Sequence, residues 1–371
     1  MKKNKILVNT NNGSYSILIG TGLINNLKKI LNSYSIKSSK YLVVFDKNIP
    51  KKYIRTIKKS IKKKTIFLKF SSNEKNKNQK SVNSILNILL ENSFNRNDCV
   101  IAVGGGIIGD VSAFASSIFK RGIKFVNLPT TLLAQVDSSI GGKTGINTKF
   151  GKNLIGSFYQ PSLVISDINF LNSLPEREIV CGYGEILKHS IIADKKFFVF
   201  LSKNISKILK LKKGYIQKSI YESCLIKKKI VEKDEKEKNL RKLLNFGHTF
   251  AHAYEAALSY SKKLNHGEAV ILGIISACEF SFKKKLLSKI EYKLIENHII
   301  KLDRSLRLSK FFNKKDANKI VKFMIADKKN INNKINLVLL KKIGKADYKN
   351  FYKVTDIQKF TKDQFKNISI E

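Results

Sequence analysis

Apolar residues along this chain follow two rhythms. In the first half, short runs at Tyr41–Phe45, Thr65–Phe70, Cys99–Val103, Lys124–Leu128 and Leu163–Ser166 are bounded by polar or glycine-containing segments, as buried strands are. Between them, residues near 50–62, 80–92 and 108–120 space Ile, Leu and Phe at helical intervals. This alternation predicts βαβ units and a mainly parallel sheet covered by helices on both faces. The first twenty residues, MKKNKILVNTNNGSYSILIG, alternate apolar and polar positions in the pattern of a strand hairpin.

From about Pro175 the rhythm becomes helical. Periodic segments follow one another at 175–192, 194–210, 214–233, 246–260, 267–285, 289–302 and 314–327, and only Lys334–Leu340 reads as a strand. The expected architecture is an α/β domain over 1–174, Rossmann-like in its strand–helix alternation, and an all-α domain over 175–371, with the seam near residues 168–176. A chain of 371 residues is long enough for two such units.

Composition changes this picture little. With 43% apolar residues the chain has material for a large core, and the net charge of +43 does not signal disorder. Only seven of the 71 basic residues are arginines. Nucleic-acid sites gather charge on one face and use Arg for bidentate contacts, whereas lysine here is spread over nearly every element. No specific nucleic-acid partner is therefore expected. The four cysteines are far apart and form no CxxC pair, which fits a reducing compartment. No stretch reaches the roughly 18 apolar residues of a membrane span, so a soluble, cytoplasmic protein is expected.

Chemistry concentrates in three places. After the strand ending at Val103, Gly104, Gly106 and Gly109 satisfy GxGxxG before a helix, where backbone N–H groups can face a pyrophosphate. No acidic residue occurs in 111–136 to bind a ribose, so Asp46, at the end of an earlier strand, is the better candidate for its hydroxyls. Downstream, Pro129-Thr130-Thr131, Asp137, Gly141-Gly142-Lys143-Thr144-Gly145 and Lys152-Asn153 place hydroxyls and two lysines on Gly-rich backbone suited to an anion. The spacing is not that of a P-loop.

The third place is a histidine cluster. His189, His248, His252, His266 and His298 are the only histidines, and three of them fall between 248 and 266. A catalytic zinc site takes three N or O ligands and leaves one position open. Spacing alone allows His248 with His252, or Glu185 with His189, as ligand pairs. His298, in a plain helical context, reads as structural.

Together the motifs resemble the 3-dehydroquinate synthases of the sugar phosphate cyclase superfamily. The resemblance covers nearly the whole chain. It is carried by residues 104–110 (GGGIIGD), 121–123 (RGI), 128–147 (LPTTLLAQVDSSIGGKTGIN), 151–161 (GKNLIGSFYQP), 182–189 (GYGEILKH), 244–256 (LNFGHTFAHAYEA), 264–270 (LNHGEAV) and 327–329 (DKK). It implies metal ligands Glu185, His248 and His266, with zinc or cobalt bound, and makes His252 an acid/base or phosphate-contacting group instead of a ligand. It implies NAD on Asp46, Asn48, Ser72, Asn73, Glu74, Lys75, Asn76, Lys77, Gly106, Ile107, Ile108, Gly109, Asp110, Thr130, Thr131, Lys143, Lys152, Phe170, Leu171, Asn172 and Ser173.

The same resemblance implies a sugar phosphate substrate held by Asp137, Lys143, Lys152, Asn153, Lys188, Lys227, Arg241, Asn245 and Lys328. Arg121 would reach the site of a neighbouring subunit in a homodimer. One departure is visible: Asn73-Glu74 stands where the family usually has Gly-Glu. The rivals are a metal-dependent polyol dehydrogenase, which needs no lysines aimed at phosphate, and a cyclase acting on sedoheptulose 7-phosphate. That second substrate lacks the carboxylate that Lys227, Arg241 and Asn245 would hold.

Overall fold

The computed structural model describes residues 4–11, 13–61, 64–326 and 334–366. In chain order the elements are β1 (Asn4–Thr10), β2 (Gly13–Gly20), α1 (Leu27–Ser33), β3 (Lys40–Asp46), α2 (Lys51–Ile61), β4 (Lys64–Phe70), α3 (Gln79–Glu91), β5 (Cys99–Gly104), α4 (Gly106–Ile118), β6 (Lys124–Pro129), β7 (Lys143–Thr148), β8 (Gly151–Phe158) and β9 (Leu163–Asp167). There follow α5 (Glu176–Ala193), α6 (Lys195–Leu209), α7 (Lys213–Lys233), α8 (His248–Ala257), α9 (His266–Lys283), α10 (Lys289–Leu302), α11 (Ala317–Ala326), β10 (Lys334–Lys342), β11 (Lys345–Lys353) and α12 (Val354–Lys366). Two compact units result. One comprises Met1–Ile179 with Lys213–Lys236, the other Val180–Lys212 with Glu237–Glu371.

The first unit is built on a seven-stranded sheet of order β1-β2-β9-β6-β5-β3-β4. Only the β1–β2 hairpin is antiparallel. Because successive side chains alternate across a strand, the central strands feed two separate cores. Tyr41, Val43, Cys99, Ile101, Val103, Val126 and Leu128 pack on one face with Leu27, Leu31 and Ile57. Leu42, Val44, Val100, Ala102 and Phe125 pack on the other with Val82, Ile85, Val111 and Ala115. The near-continuous apolar runs in the sequence are the consequence of this double burial.

Two expectations are corrected here. A single cut at 174/175 does not describe the units, because α7 packs against β1, β2 and the turn Ala134–Ser138 and so belongs with the sheet. Lys143 and Lys152-Asn153, expected on Gly-rich turns folded around an anion, lie instead on the strands of the antiparallel β7–β8 hairpin. Its strands approach closely because both are glycine-bearing: a Cβ on Gly156 would stand 2.0 Å from the carbonyl oxygen of Thr144.

The second unit is helical but not all-α, since β10 pairs with β11 in an antiparallel hairpin. Its interior is aromatic. Phe280 meets Phe360 and Tyr352 edge-on at 4.9 Å, and Tyr254 lies 5.3 Å from Phe312. Helices α8 and α9 cross through glycine: Gly247 holds φ +78°, and a Cβ on Gly273 would stand 2.1 Å from the Gly247 carbonyl oxygen. No described helix is long and apolar enough to cross a membrane. The four cysteines are buried and form no disulfide, and burial raises the Cys224 thiol to about 12.

Candidate functional site

The helical unit brings together three residues that are distant in sequence. Glu185 on α5, His248 at the start of α8 and His266 at the start of α9 each offer a ligand atom within 4.8 Å of the others. Helix packing sets this geometry. The Gly247–Gly273 crossing draws the first turn of α8 onto α9, and Gly184 and Gly267 let α5 and α9 touch, a Cβ on Gly184 meeting Ile271 at 2.9 Å.

The two imidazoles are oriented from behind. His248 Nδ1 lies 3.2 Å from the Phe246 carbonyl oxygen, to which its N–H donates, and its Nε2 lies 3.6 Å from Glu185 Oε1. His266 Nδ1 lies 3.1 Å from Glu255 Oε2. Each histidine thus keeps Nε2 for a ligand, the arrangement in which an outer carbonyl or carboxylate fixes the tautomer. Burial, reinforced by the positive Lys188 and by His252 and His266, holds the His248 imidazole well below its ordinary pKa. The shift favours the neutral imidazole, the form in which histidine binds a metal. One carboxylate and two imidazoles fit a divalent ion of the zinc or cobalt kind.

Other expected residues belong to the same unit. Lys188, 1% exposed, forms an ion pair with Glu185 Oε2. Arg241 is buried, and Asn245 donates to Glu237 Oε1 at 2.6 Å. The ring of His252 lies 5.4 Å from that of His248 and 6.2 Å from that of His266, and His252 is exposed. The His248 and His266 rings are no closer, at 5.7 Å, but it is His266 and Glu185 whose ligand atoms converge with that of His248. His189 is buried. His298 is structural as expected, held between Tyr183 Oη at 3.0 Å and Ser202 Oγ at 2.8 Å. Lys328 lies outside the described residues.

The sheet unit holds the second group. Gly104 closes β5, accepting from Thr130 N at 2.9 Å, and Gly106 opens α4. A Cβ on Gly106 would meet Ser138 Oγ at 3.0 Å, and one on Gly109 would meet Asn127 Nδ2 at 3.2 Å. The glycines therefore serve close packing as well as open backbone. Thr131 Oγ1 accepts from Ala134 N at 3.2 Å. A small cavity beside Asp110 is lined by Gly109, Asn127, Ser138, Lys143 and Thr144.

A polar chain crosses this region. Lys77, 6% exposed, reaches Asp110 Oδ2 at 2.5 Å and Asn153 Oδ1 at 2.5 Å, and Asn147 Nδ2 donates to Glu74 Oε2 at 2.7 Å. Asn153 holds φ +54°, a left-handed conformation that Asn tolerates. Burial raises the Asp110 carboxyl, with Lys77 opposing. Asp46 accepts from Asn48 N at 2.9 Å and from the Ser72 hydroxyl, while burial raises its carboxyl. Lys227 Nζ donates to Asp137 Oδ1 at 2.5 Å and to its carbonyl oxygen at 2.7 Å.

Several expected cofactor residues have their side chains committed elsewhere. Ile108 and Phe170 lie within the two cores and Leu171 is fully buried, while Ile107 packs against core residues. From these positions only the backbone can face a ligand. Asn73, Lys75, Asn172 and Ser173 are exposed, and Asn76 donates to the Ser71 carbonyl oxygen at 2.8 Å. Lys143 and Arg121 are exposed, Lys152 half-buried. Glu255 and Glu237 were missed by sequence reasoning. Glu255 follows His252 by three positions on a helix, the one signal that could have found it.

Fold and ligand group together define a dehydroquinate synthase-like protein. A solved 2-deoxy-scyllo-inosose synthase, complexed with carbaglucose-6-phosphate, NAD+ and Co2+, superposes with a TM-score of 0.87 over 97% of this chain and 99% of that one, at 22% identity. The family models described as 3-dehydroquinate synthase N-terminal and C-terminal match residues 67–181 and 182–330. A 3-dehydroquinate synthase of Pelagibacter ubique (strain HTCC1062) is 60% identical over 97% of this chain and 98% of its own length. That of Alkaliphilus metalliredigens (strain QYMF) is 41% identical over 90% and 92%. The chain belongs to the 3-dehydroquinate synthase family.

Proposed function

We propose that this chain converts 3-deoxy-D-arabino-heptulosonate 7-phosphate into 3-dehydroquinate and phosphate, using bound NAD and one zinc or cobalt ion. The observation that carries the proposal is the group Glu185, His248 and His266, with both imidazoles oriented for ligation, in a chain of this family. These three residues would hold the metal. Asp46, Lys77, Asp110 and the Gly104–Gly109 backbone would hold the NAD. When bound, the metal supplies Lewis-acid polarisation of a hydroxyl, and NAD a reversible acceptor for hydride.

The substrate carries a carboxylate and a phosphate, so binding it calls for cations already stripped of water. Lys188 and Arg241 in the helical unit and Lys227 in the sheet unit are cations of this kind, each at most 5% exposed. Asp137 holds the Lys227 ammonium in place, and Glu237 holds the Asn245 amide. Such preset groups orient the substrate without reorganising during the reaction. A carbonyl at C5, formed and removed by hydride exchange with bound NAD, would acidify the C6 proton, so that phosphate would leave C7 by β-elimination; the hemiketal would then open and the carbocycle would close by an aldol step. His252, exposed beside the ligand group, is placed to exchange a proton with substrate.

The proposal extends to a homodimer, in which Arg121 serves a neighbouring site. Its support is the exposure of Arg121 and of Phe150, Leu154, Ile155 and Phe158 around the β7–β8 hairpin. The scattered lysines imply only weak, salt-labile association with polyanions. The test of the activity is phosphate release from the heptulosonate phosphate by chain stripped with a chelator, before and after Zn2+ is restored. Release that returns with Zn2+ supports the proposal; release indifferent to metal removes it.

A further inference from the structure

We propose that Glu255 is the positioning residue of the metal group, acting through His266. The inference rests on the metal reading above and extends it to a residue that touches neither ion nor substrate. Helix α8 carries His248, His252 and Glu255 at positions i, i+4 and i+7, one stripe of the helix that faces the start of α9. The Glu255 carboxylate, 10% exposed, lies 3.1 Å from His266 Nδ1.

His266 needs such a partner more than His248 does. Its side chain is 40% exposed, against 13% for His248, so packing alone constrains its ring less. It is also the first residue of α9, where the capping box of Asn265 with Glu268 fixes the backbone but leaves the side-chain torsions open. Accepting the Nδ1–H fixes the tautomer that carries its lone pair on Nε2, and a carboxylate also makes that nitrogen a stronger donor.

The experiment is Zn2+ competition against a chromophoric chelator on the full chain, together with the visible spectrum of the Co2+-loaded protein. Glu255→Ala is expected to weaken Zn2+ binding about 10–100-fold and to alter the Co2+ bands, with the melting temperature of the metal-free protein unchanged. Glu255→Gln keeps an oxygen that can accept the same hydrogen bond, and should recover most of the affinity. If Glu255→Ala does not fold, Glu255→Gln and Glu255→Asp are compared instead, and a graded loss in affinity with unaltered metal-free melting is the expected result. Affinity within about threefold of the parent in all variants, or a loss that tracks metal-free melting, overturns the inference. A parent chain that binds no Zn2+ at all removes the metal reading and this inference with it, whereas a parent that binds while Glu255→Ala binds equally removes only this inference.

Discussion

Gly267 lies so close to Cys181 that a Cβ at 267 would stand 2.4 Å from the Cys181 Cα and from its carbonyl oxygen. Cys181 is one helical turn before Glu185 on α5, and Gly267 directly follows His266 on α9. Backbone contact at this point therefore sets how near a carboxylate and an imidazole from two helices can come. Gly267→Ala is expected to destabilise the chain by about 1–3 kcal/mol, as overpacking does, and to weaken Zn2+ binding at least tenfold. Gly214→Ala, where a Cβ meets nothing within 4 Å, should do neither. Thermal melts and Zn2+ titration of the two variants check the pair.

His252 and His266 separate chemistry from ligation. Removing one of three ligands should abolish tight metal binding, so His266→Ala loses both Zn2+ and turnover. His252→Ala should keep Zn2+ within about threefold while kcat falls about 10²–10⁴-fold, the usual yield of a positioned acid or base. Metal analysis of the purified variants decides. Zinc lost with His252→Ala and kept with His266→Ala would reverse the assignment.

His298 makes stability depend on pH. Burial, with Lys301 adding to it, lowers the folded imidazole to about 4. The unfolded chain takes up this proton near pH 6.5 and the folded one only near 4, so the unfolded state binds more protons between those values. The contribution of His298 is full above pH 6.5 and is lost as pH falls toward 4, about 3 kcal/mol in all. Melting temperatures from pH 7 to 4.5 should fall less steeply in His298→Gln than in the parent. Equal slopes would show that His298 is not the group responsible.

Much of this was legible in the sequence, for reasons that particular residues make clear. Strands β3, β5 and β6 announce themselves because both of their faces are buried, leaving unbroken runs such as Cys99–Val103. Helices α3, α4 and α9 carry periodic apolar residues. By contrast β11, Lys345–Lys353, has a burial pattern of exposed and half-buried residues, and its lysines erase the apolar alternation. Helix α7 looks like any other helix of the second half. What assigns it to the sheet unit is its packing on β1 and β2, some two hundred residues earlier, where Gln217 donates to Asn4 Oδ1 at 3.0 Å. Within the ligand group, motif residues were readable but their supports were not. Glu255 and Glu237 are ordinary glutamates until the fold sets one against His266 and the other against Asn245. The Lys77–Asp110–Asn153 chain likewise joins three segments that no local spacing connects.

The central claim is that the hydride removed from substrate is returned within the same turnover, so NAD is required and not consumed. The measurement is free phosphate and the absorbance of reduced nicotinamide followed together in one cuvette, with heptulosonate phosphate, Zn2+ and NAD at a small fraction of the substrate. The account predicts many equivalents of phosphate per NAD with no build-up of NADH. One NADH formed per substrate oxidised, without phosphate, would contradict it and assign the chain to a dehydrogenase.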